Sequence, residues 1–349
     1  MERNELVLLR LSNQYLLHAG ERMRVLRAMN GFQAQFLSNA LYAMRLRSTA
    51  YDTAHAADSL VKSWTLRGTM HIFAEADLPL FLHTGCRYRS RDWTVPSFWN
   101  QRPDWALTPQ RQAYFSDLIV DALAQGPMTR EALKARCRAA GMTQAEEGSI
   151  FHPWGGGIRE LCERGFLCGT VSEEKAFRLC PAFTPMEEWD ALLEQTRRYF
   201  TNYGPASIRD AAYYFGTSQA EIKKRLARLP VEVAECEGQR LFSLHSGRMP
   251  EQAIPDCLLL AGFDPLVLGY EKKQSIFLPQ EYLRGIFSLS GIVMPPVLLH
   301  GSVAGRWKHS GKRLLITQFR PFSQEECGFA EAAAAQLWGE AVQPVFQDA

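Results

Sequence analysis

The segment at residues 126–132, Gly-Pro-Met-Thr-Arg-Glu-Ala, recurs in outline at residues 204–211, Gly-Pro-Ala-Ser-Ile-Arg-Asp-Ala. Each copy follows a helical pattern and places Thr129 or Ser207 where the next helix begins. The hydroxyl of Thr or Ser satisfies free backbone N–H groups in the first turn of a helix, so both residues are predicted N-caps. The repeat therefore predicts two copies of one helical unit.

Both copies continue into a short hairpin. The helical patterns cover residues 109–125 and 152–164 around the first copy, and residues 187–202 and 218–229 around the second. Alternating segments then predict hairpins that pair 166–170 with 177–179 and 231–233 with 241–242. Three helices followed by a hairpin are the winged-helix plan, a helix-turn-helix with a β-wing.

The two ends of the chain complete the predicted architecture. Helical patterns at about residues 2–17, 35–47 and 54–63 precede a strand-like segment at 64–73, which predicts one more winged helix. After Pro255, short alternating segments predict a β-barrel-like module closed by a helix at about 324–338. The predicted fold class is mainly α with β (α+β), with three tandem winged-helix motifs before this small C-terminal module. The predicted domains are residues 1–105, 106–185, 186–250 and 251–349.

The composition indicates a globular protein with a large core and little net charge. The chain has 349 residues, of which 46% are hydrophobic, and 39 Lys and Arg against 37 Asp and Glu give a formal net charge of +2. This balance excludes a polycation that coats nucleic acid by bulk charge. The first 50 residues nevertheless hold seven arginines against three glutamates, so positive charge is concentrated there.

The eight cysteines are scattered, with no CxxC pair and no histidine spacing typical of zinc. They indicate reduced, mostly buried thiols in a cytoplasmic protein, and we expect no metal and no other cofactor. Residues 1–11 mix Glu and Arg with Leu, so no signal peptide is expected. No apolar run reaches membrane-spanning length, and we expect no membrane partner.

A second basic run lies at residues 87–91, Arg-Tyr-Arg-Ser-Arg, and Trp93 and Trp99 follow it. Arg87 and Arg89, interleaved with aromatic rings, suit phosphate contacts together with base stacking. A solvated loop that packs its aromatic rings inward fits the same pattern. Both interpretations stay open at this point.

Four further motifs occur in order along the chain. They are Gly-Phe-Gln-Ala-Gln at 31–35, Leu-Arg-Gly-Thr-Met-His at 66–71, Gly-Phe-Asp-Pro-Leu-Val-Leu-Gly-Tyr at 262–270 and Val-Ala-Gly-Arg-Trp at 303–307. Together they resemble the winged-helix DNA glycosylases of the AlkZ and YcaQ type, over roughly residues 10–320. The resemblance implies three winged helices and a β-barrel around a DNA-binding channel. It also implies activity on alkylated bases and interstrand crosslinks in double-stranded DNA.

The resemblance makes Gln33 and Gln35 the catalytic residues, because the Gln-x-Gln motif of the family falls on them. Residues two apart share one side of an extended segment but not of a helix, so residues 32–35 are expected to be extended or at the start of a helix. An amide is a weak base, which suits a cationic N7- or N3-alkylated purine that already leaves readily. The two amides then position a water beside C1′ of the sugar. The alternative is that both glutamines cap or pack the next helix.

Basic residues near these motifs are the candidate DNA contacts. They are Arg45, Arg67, His71, Arg87, Arg89, Lys272, Lys273 and Arg306. Arg67 and His71 are four apart on a predicted strand and are expected to share one face, with Arg67 at a phosphate and His71 at the sugar or a water. A structural role for His71 is an equal alternative. Asp264 either orients a catalytic or DNA-contacting group or caps the turn formed with Pro265.

The sequence therefore predicts a monofunctional, water-using DNA glycosylase that acts as a monomer. The Gln-x-Gln motif singles out no lysine as an imine-forming nucleophile. A non-catalytic winged-helix regulator is the leading alternative, but it has no need of Gln33 and Gln35 and usually binds paired half-sites as a dimer. A metal-dependent nuclease is disfavoured because no paired carboxylate motif lies near the glutamines.

Overall fold

The computed structural model describes residues 1–82, 93–172, 174–244, 249–339 and 341–349. Internal contacts divide them into two units, Met1–Asp52 with Gln195–Ala349 and Thr53–Glu194. Arg87 and Arg89 of the second basic run lie outside the described residues. The four predicted domain boundaries stay a prediction.

Helices and short strands alternate through most of the chain, which is mixed α and β. The helices are α1 (Arg3–Asn13), α2 (Arg22–Ala28), α3 (Leu37–Arg47), α4 (Leu78–Phe81), α5 (Pro109–Leu123), α6 (Arg130–Ala139), α7 (Gln144–Ile150), α8 (Gly156–Glu163), α9 (Glu188–Asn202), α10 (Ile208–Phe215), α11 (Gln219–Leu226), α12 (Pro265–Leu268), α13 (Leu283–Ile286) and α14 (Gln324–Trp338). The strands are β1 (Phe32–Gln33), β2 (Leu60–Trp64), β3 (Met70–Ala74), β4 (Met128–Thr129), β5 (Leu167–Gly169), β6 (Ala176–Leu179), β7 (Glu232–Cys236), β8 (Gln239–Ser243), β9 (Cys257–Leu259), β10 (Pro296–Leu299), β11 (Ser302–Ser310), β12 (Arg313–Gln318) and β13 (Gln343–Asp348).

The two predicted N-caps are confirmed. The Thr129 hydroxyl accepts from the backbone N–H of Ala132 at 3.1 Å, at the start of α6. Ser207 opens α10 with a capping box, in which its hydroxyl accepts from the N–H of Asp210 and the Asp210 carboxylate accepts from the N–H of Ser207. Both arrangements satisfy backbone donors that a helix start leaves free.

The predicted hairpins after α8 and α11 are also present. β5 pairs with β6 and β7 pairs with β8, both antiparallel. The turn of the second hairpin is Glu237-Gly238, and both residues have positive φ, as a tight type I′ turn requires. Helix α7, between α6 and α8, was not predicted.

The prediction for residues 54–73 is wrong. Residues 54–59 form turns instead of a helix, and β2 and β3 form an antiparallel hairpin instead of one strand. The chain reverses at Arg67 and Gly68, whose φ angles are +55° and +64°. In the unit Thr53–Glu194 the strands lie in the order β3-β2-β5-β6-β4.

The strands after residue 255 form an open sheet, so the predicted barrel-like closure is not found. The order is β9-β10-β11-β12-β13, and only the β12 and β13 pair is parallel. In the part of the chain that the structure describes, β9 and β13 are its two edges. The predicted closing helix is confirmed as α14, whose Ala330 and Ala334 are buried in one apolar cluster with Leu314 and Ile316 of β12.

Separate apolar cores stabilise the sheets of the two units. In Thr53–Glu194 the core includes Phe115 and Ile119 of α5 and Leu161 of α8, all at most 1% exposed. Burial of such side chains is the main favourable contribution to folding. No helix among the described residues has the length and apolar character needed to cross a membrane.

A fully buried ion pair joins α3 to the start of α12. The Arg47 guanidinium donates to both carboxylate oxygens of Asp264, at 2.6 and 3.0 Å, and neither side chain is exposed. Arg47 also donates to the Ala43 carbonyl, and the Asp264 carboxylate accepts from the N–H of Leu266 and so caps α12. Buried charges are tolerated only when they are paired and hydrogen-bonded, so this contact fixes the spacing of the two helices.

Arg47→Met leaves the Asp264 carboxylate buried without its cation, so the free energy of unfolding should fall by about 3–5 kcal/mol. The control is Arg102→Met, which removes an exposed pair with Asp104 and should change the stability little. Urea denaturation measures both variants. If Arg47→Met lowers the free energy of unfolding no more than Arg102→Met does, the stabilising role of the buried pair is contradicted.

Candidate active site

Exposure alternates along residues 32–35, of which Phe32 and Gln33 form β1 and Gln35 lies in a bend before α3. Phe32 and Ala34 are 1% and 3% exposed, whereas Gln33 is half-buried and Gln35 is exposed. Successive residues of an extended chain point to opposite sides, so residues two apart share a side. The two glutamines therefore lie on one side of the segment, and Phe32 and Ala34 anchor the other side in the core.

Helix α3 begins directly after this segment. Phe36 is the N-cap residue, with φ −121° and ψ 119°, and Leu37 is the first helical residue. Of the stretch that was expected to be extended or to start a helix, Phe32 and Gln33 are in a strand, and Gln35 lies in a bend directly before α3.

The turn before the segment is held by buried side chains. The Met29 carbonyl accepts from the hydroxyls of Tyr203, just after α9, and Tyr214, on α10, at 3.0 and 3.4 Å. Asn30 has a φ of +55°, and its side-chain amide donates to the Gln195 carbonyl at 3.0 Å. These bonds fix the backbone from which the glutamine segment starts.

The ion pair between Arg47 and Asp264 supports the segment from behind. The Arg47 guanidinium carbon lies 5.9 Å from the centre of the Phe32 ring. The sequence left two roles open for Asp264, orienting a functional group or capping a turn. The structure favours the capping role, because Asp264 caps α12 and pairs with Arg47. The segment at 31–35 and the motif at 262–270 are thus joined through one buried contact.

A second buried cluster links the Tyr270 end of that motif to α1. The Tyr270 hydroxyl accepts from the Gln14 amide and donates to the Tyr203 carbonyl, both at 2.9 Å. The Arg10 guanidinium lies 4.1 Å from the centre of the Tyr270 ring, and it pairs with Asp210 at 3.7 Å. Burial raises the pKa of Tyr270, so its hydroxyl keeps the proton that it donates.

Two candidate DNA contacts of this unit come together near α13. The Lys272 ammonium lies 5.5 Å from the centre of the Phe287 ring, and the Arg306 guanidinium donates to the Gly285 carbonyl at 3.3 Å. Both side chains are half-buried. They therefore bring positive charge to one short region of the surface.

Two further candidates lie in the same unit, Arg45 on α3 and Lys273 next to Lys272. Arg45 is exposed on α3 and donates to the Leu337 carbonyl at 3.0 Å. Lys273 is exposed in the turn after Tyr270. Arg45 is the basic candidate on the helix that follows the glutamines.

Arg67 and His71 belong to the other unit and do not share a strand face. Arg67 lies in the turn Leu66–Gly68, whereas His71 is on β3. The expectation that Arg67 and His71 share one strand face is wrong, because Arg67 lies in the turn between β2 and β3 and not on the strand of His71. The His71 ring is 4% exposed, and its Nδ1 lies 3.0 Å from the Thr69 carbonyl, which favours the structural interpretation of this residue.

The sequence analysis did not single out several residues that hold the glutamine segment. They are Arg10, Gln14, Asn30, Arg47, Tyr203 and Tyr214. A signal for Arg47 exists, because it falls on the helix face of the buried Ala40, Ala43 and Met44. A charge on an apolar face requires a buried partner. The identity of that partner, 217 residues further along, has no local signal.

Burial, with a smaller effect of the charge on Arg67, lowers the pKa of His71 from 6.5 to about 3. Between pH 6.5 and about pH 3, His71 therefore binds a proton in the unfolded chain but not in the folded chain. The free energy of unfolding falls as the pH decreases through this range. In urea unfolding, the wild type should lose about 2–3 kcal/mol more than His71→Gln between pH 7 and pH 4.5. The same substitution at the exposed His55 is the control. Parallel pH profiles for the wild type and His71→Gln contradict the burial of a neutral imidazole.

The chain is similar to known proteins in sequence and in fold. A family model described as "DNA glycosylase AlkZ-like" matches residues 26–341. The chain is 28% identical over 314 residues to the interstrand DNA cross-link repair glycosylase of Streptomyces sahachiroi, and the match covers 83% of this chain and 82% of that protein. The solved structure of the Streptomyces sahachiroi DNA glycosylase AlkZ has a TM-score of 0.78 to this chain at 22% identity, with both chains covered completely.

The structural match shows a common fold, and the family match covers most of the sequence. All four motifs quoted above, at 31–35, 66–71, 262–270 and 303–307, lie inside the matched region. The resemblance that these motifs indicated is confirmed, and the chain belongs to the AlkZ-like DNA glycosylase family.

Proposed function

We propose that this glycosylase hydrolyses the N-glycosidic bond of N7- and N3-alkylated purines in double-stranded DNA, including purines in interstrand crosslinks. It acts as a monofunctional enzyme with water as the nucleophile. The observation that carries the proposal is the alternating extended segment, which leaves Gln33 and Gln35 together on the side away from the core. The name of the Streptomyces sahachiroi relative, a cross-link repair glycosylase, supports the crosslinked substrate.

The reaction asks little of the two amides as bases. Alkylation at N7 or N3 makes the purine cationic, so it leaves as a neutral base when its bond to C1′ breaks. The side-chain oxygens of Gln33 and Gln35 accept the hydrogens of a water beside C1′, where the sugar develops positive charge. The water oxygen bonds to C1′ and its proton passes to solvent. The products are the free base and an abasic site.

The surroundings of the segment supply the positioning that such a weak base needs. The Met29 carbonyl is held by two tyrosine hydroxyls, and Arg47 and Asp264 are fully buried behind Phe32. Groups that are already in place need no reorganisation as the transition state forms. We therefore attribute catalysis to orientation of the water more than to removal of its proton.

We assign the phosphate contacts to the basic candidates that have exposed or half-buried side chains. They are Arg45, Arg67, Lys272, Lys273 and Arg306. The buried His71 supports the turn of Arg67 and does not contact DNA in this assignment. Cationic side chains of this kind fix the position of a protein on the duplex without reading its sequence.

We also propose that the three helix-and-hairpin segments are tandem winged helices. Two of them show the expected caps and hairpins, and α1, α2 and α3 precede the hairpin of β2 and β3 in the same order. Three unequal copies in one chain suit a monomer on a single lesion better than a dimer on paired half-sites. The enzyme is therefore proposed to act as a monomer.

The test is release of base from duplex DNA that contains one N7-methylguanine. The wild type should release the free base and leave an alkali-labile site, and Gln33→Ala/Gln35→Ala should be slower by on the order of 100-fold or more, because no side chain orients the water. Single-turnover chromatography of the base measures both rates. Gln110→Ala, at an exposed glutamine on α5, is the control and should match the wild type.

Two outcomes contradict the proposal in different ways. A wild type that binds duplex DNA but releases no base from N7- or N3-alkylated or crosslinked substrates contradicts the activity. A double variant that is as fast as the wild type leaves the activity standing and contradicts the assignment of the site.

A further inference from the structure

A large apolar side chain lies in solvent one residue after the candidate catalytic glutamines in the chain. Phe36 follows Gln35 directly and is 47% exposed. It is the N-cap residue of α3, and its side chain makes no capping hydrogen bond. Ser, Thr, Asp or Asn stabilises a helix at this position, whereas a phenyl ring does not. Neither helix stability nor core packing explains a phenylalanine here, and such local conflicts concentrate at functional sites.

The Phe36 ring is supported from one side by the motif at 262–270. The centres of the Phe36 and Phe263 rings are 5.9 Å apart, with 42° between the ring planes. Phe263 is 4% exposed and has a φ of +59°, a conformation that bulky residues adopt rarely. The surrounding structure must therefore hold Phe263 in place.

Two contacts hold Phe263 in this conformation. On one side is Gly262, where an added Cβ atom would lie 2.7 Å from the side-chain nitrogen of Asn39 on α3. On the other side is Asp264, which is paired with Arg47 on the same helix. The motif therefore contacts α3 at two points, and these contacts fix the position of the Phe263 ring that supports Phe36.

From this arrangement we infer that Phe36 is the surface on which the target purine stacks. The inference rests on the proposed function and names the contact that places the base. A purine turned out of the duplex lies flat against the exposed part of the ring, with its bond to C1′ directed at Gln33 and Gln35. The face of a phenyl ring is electron-rich and attracts cations. The same contact therefore favours a cationic alkylated purine over an undamaged neutral one.

The first test is single-turnover release of N7-methylguanine by Phe36→Leu and Phe36→Tyr. Leucine keeps apolar bulk but has no aromatic face, so the rate should fall about tenfold, the size of one base–aromatic stacking contact. Tyrosine keeps the face and should remain within about twofold of the wild type. Tyr114→Leu, which removes another half-exposed ring, is the matched control and should have no effect. Urea unfolding checks that all three variants are as stable as the wild type.

The second test is binding, which does not depend on turnover. In the Gln33→Ala/Gln35→Ala background, fluorescence polarisation gives the dissociation constants for an undamaged duplex and for the same duplex with one N7-methylguanine. Phe36→Leu should lower the preference for the lesion about tenfold and leave the affinity for undamaged DNA unchanged.

The outcomes separate the inference from the proposed function. If the wild type releases base and Phe36→Leu does so equally fast, the stacking role is overturned and the glycosylase activity stands. If the wild type releases no base, the proposed reaction fails. The stacking role is then tested by the ratio of the dissociation constants for the undamaged and the N7-methylguanine duplex. A lesion preference that survives in Phe36→Leu then overturns the stacking role as well.

Discussion

The buried pair of Arg47 and Asp264 is the contact on which the site geometry depends. Removing two charges from water is costly, and the cost is recovered only if both are fully paired and hydrogen-bonded. Here the guanidinium meets both carboxylate oxygens and a backbone carbonyl, and the carboxylate also caps α12. Among the described residues the buried Nε–H of Arg47 has no acceptor, and the other bonds of the pair hold α3 against the start of α12. That arrangement places the glutamine segment and the Gly262 motif side by side, although 217 residues separate the two charged groups in the chain.

Hydroxyl groups extend this constraint to the other end of the segment. Buried tyrosines must find hydrogen-bond acceptors, and apolar packing alone does not set the direction of such bonds. Tyr203 and Tyr214 donate to one carbonyl at Met29, and Tyr270 donates to the carbonyl of Tyr203. Gln33 is in the two-residue strand β1, and Gln35 lies in the bend that follows it. A buried polar frame thus carries weakly basic groups, and holding such groups in place suits catalysis by orientation.

The features that could be predicted from the sequence have short-range causes. The caps at Thr129 and Ser207 and the Glu237-Gly238 turn depend on neighbouring residues alone, whereas the expectation for the glutamine segment came from the family resemblance. Residues 54–73 could not be predicted in this way, because β2 lies between β3 and β5, and Lys62 faces Gly169 far along the chain.

The same limit applies to the C-terminal module and to the site. The short alternating segments indicate strands correctly. They do not show whether the two edge strands pair to close a barrel. That depends on the position of β13, which follows α14 and pairs in parallel with β12. A buried arginine such as Arg47 signals that an acid must lie nearby, yet nothing local identifies Asp264. The motifs therefore named the candidate catalytic residues, and no motif named the residues that support them.

The central claim is that a buried frame positions the glutamines, and the rate of base release by folded Arg47→Lys tests it most directly. Lysine keeps the charge but cannot contact both carboxylate oxygens in a fixed plane, and Arg47 touches no substrate. Single-turnover release of N7-methylguanine is measured at a temperature where circular dichroism shows the variant fully folded. The account predicts a maximal rate lower by about tenfold or more, with unchanged affinity for duplex DNA. A folded variant that releases the base at the wild-type rate would contradict it.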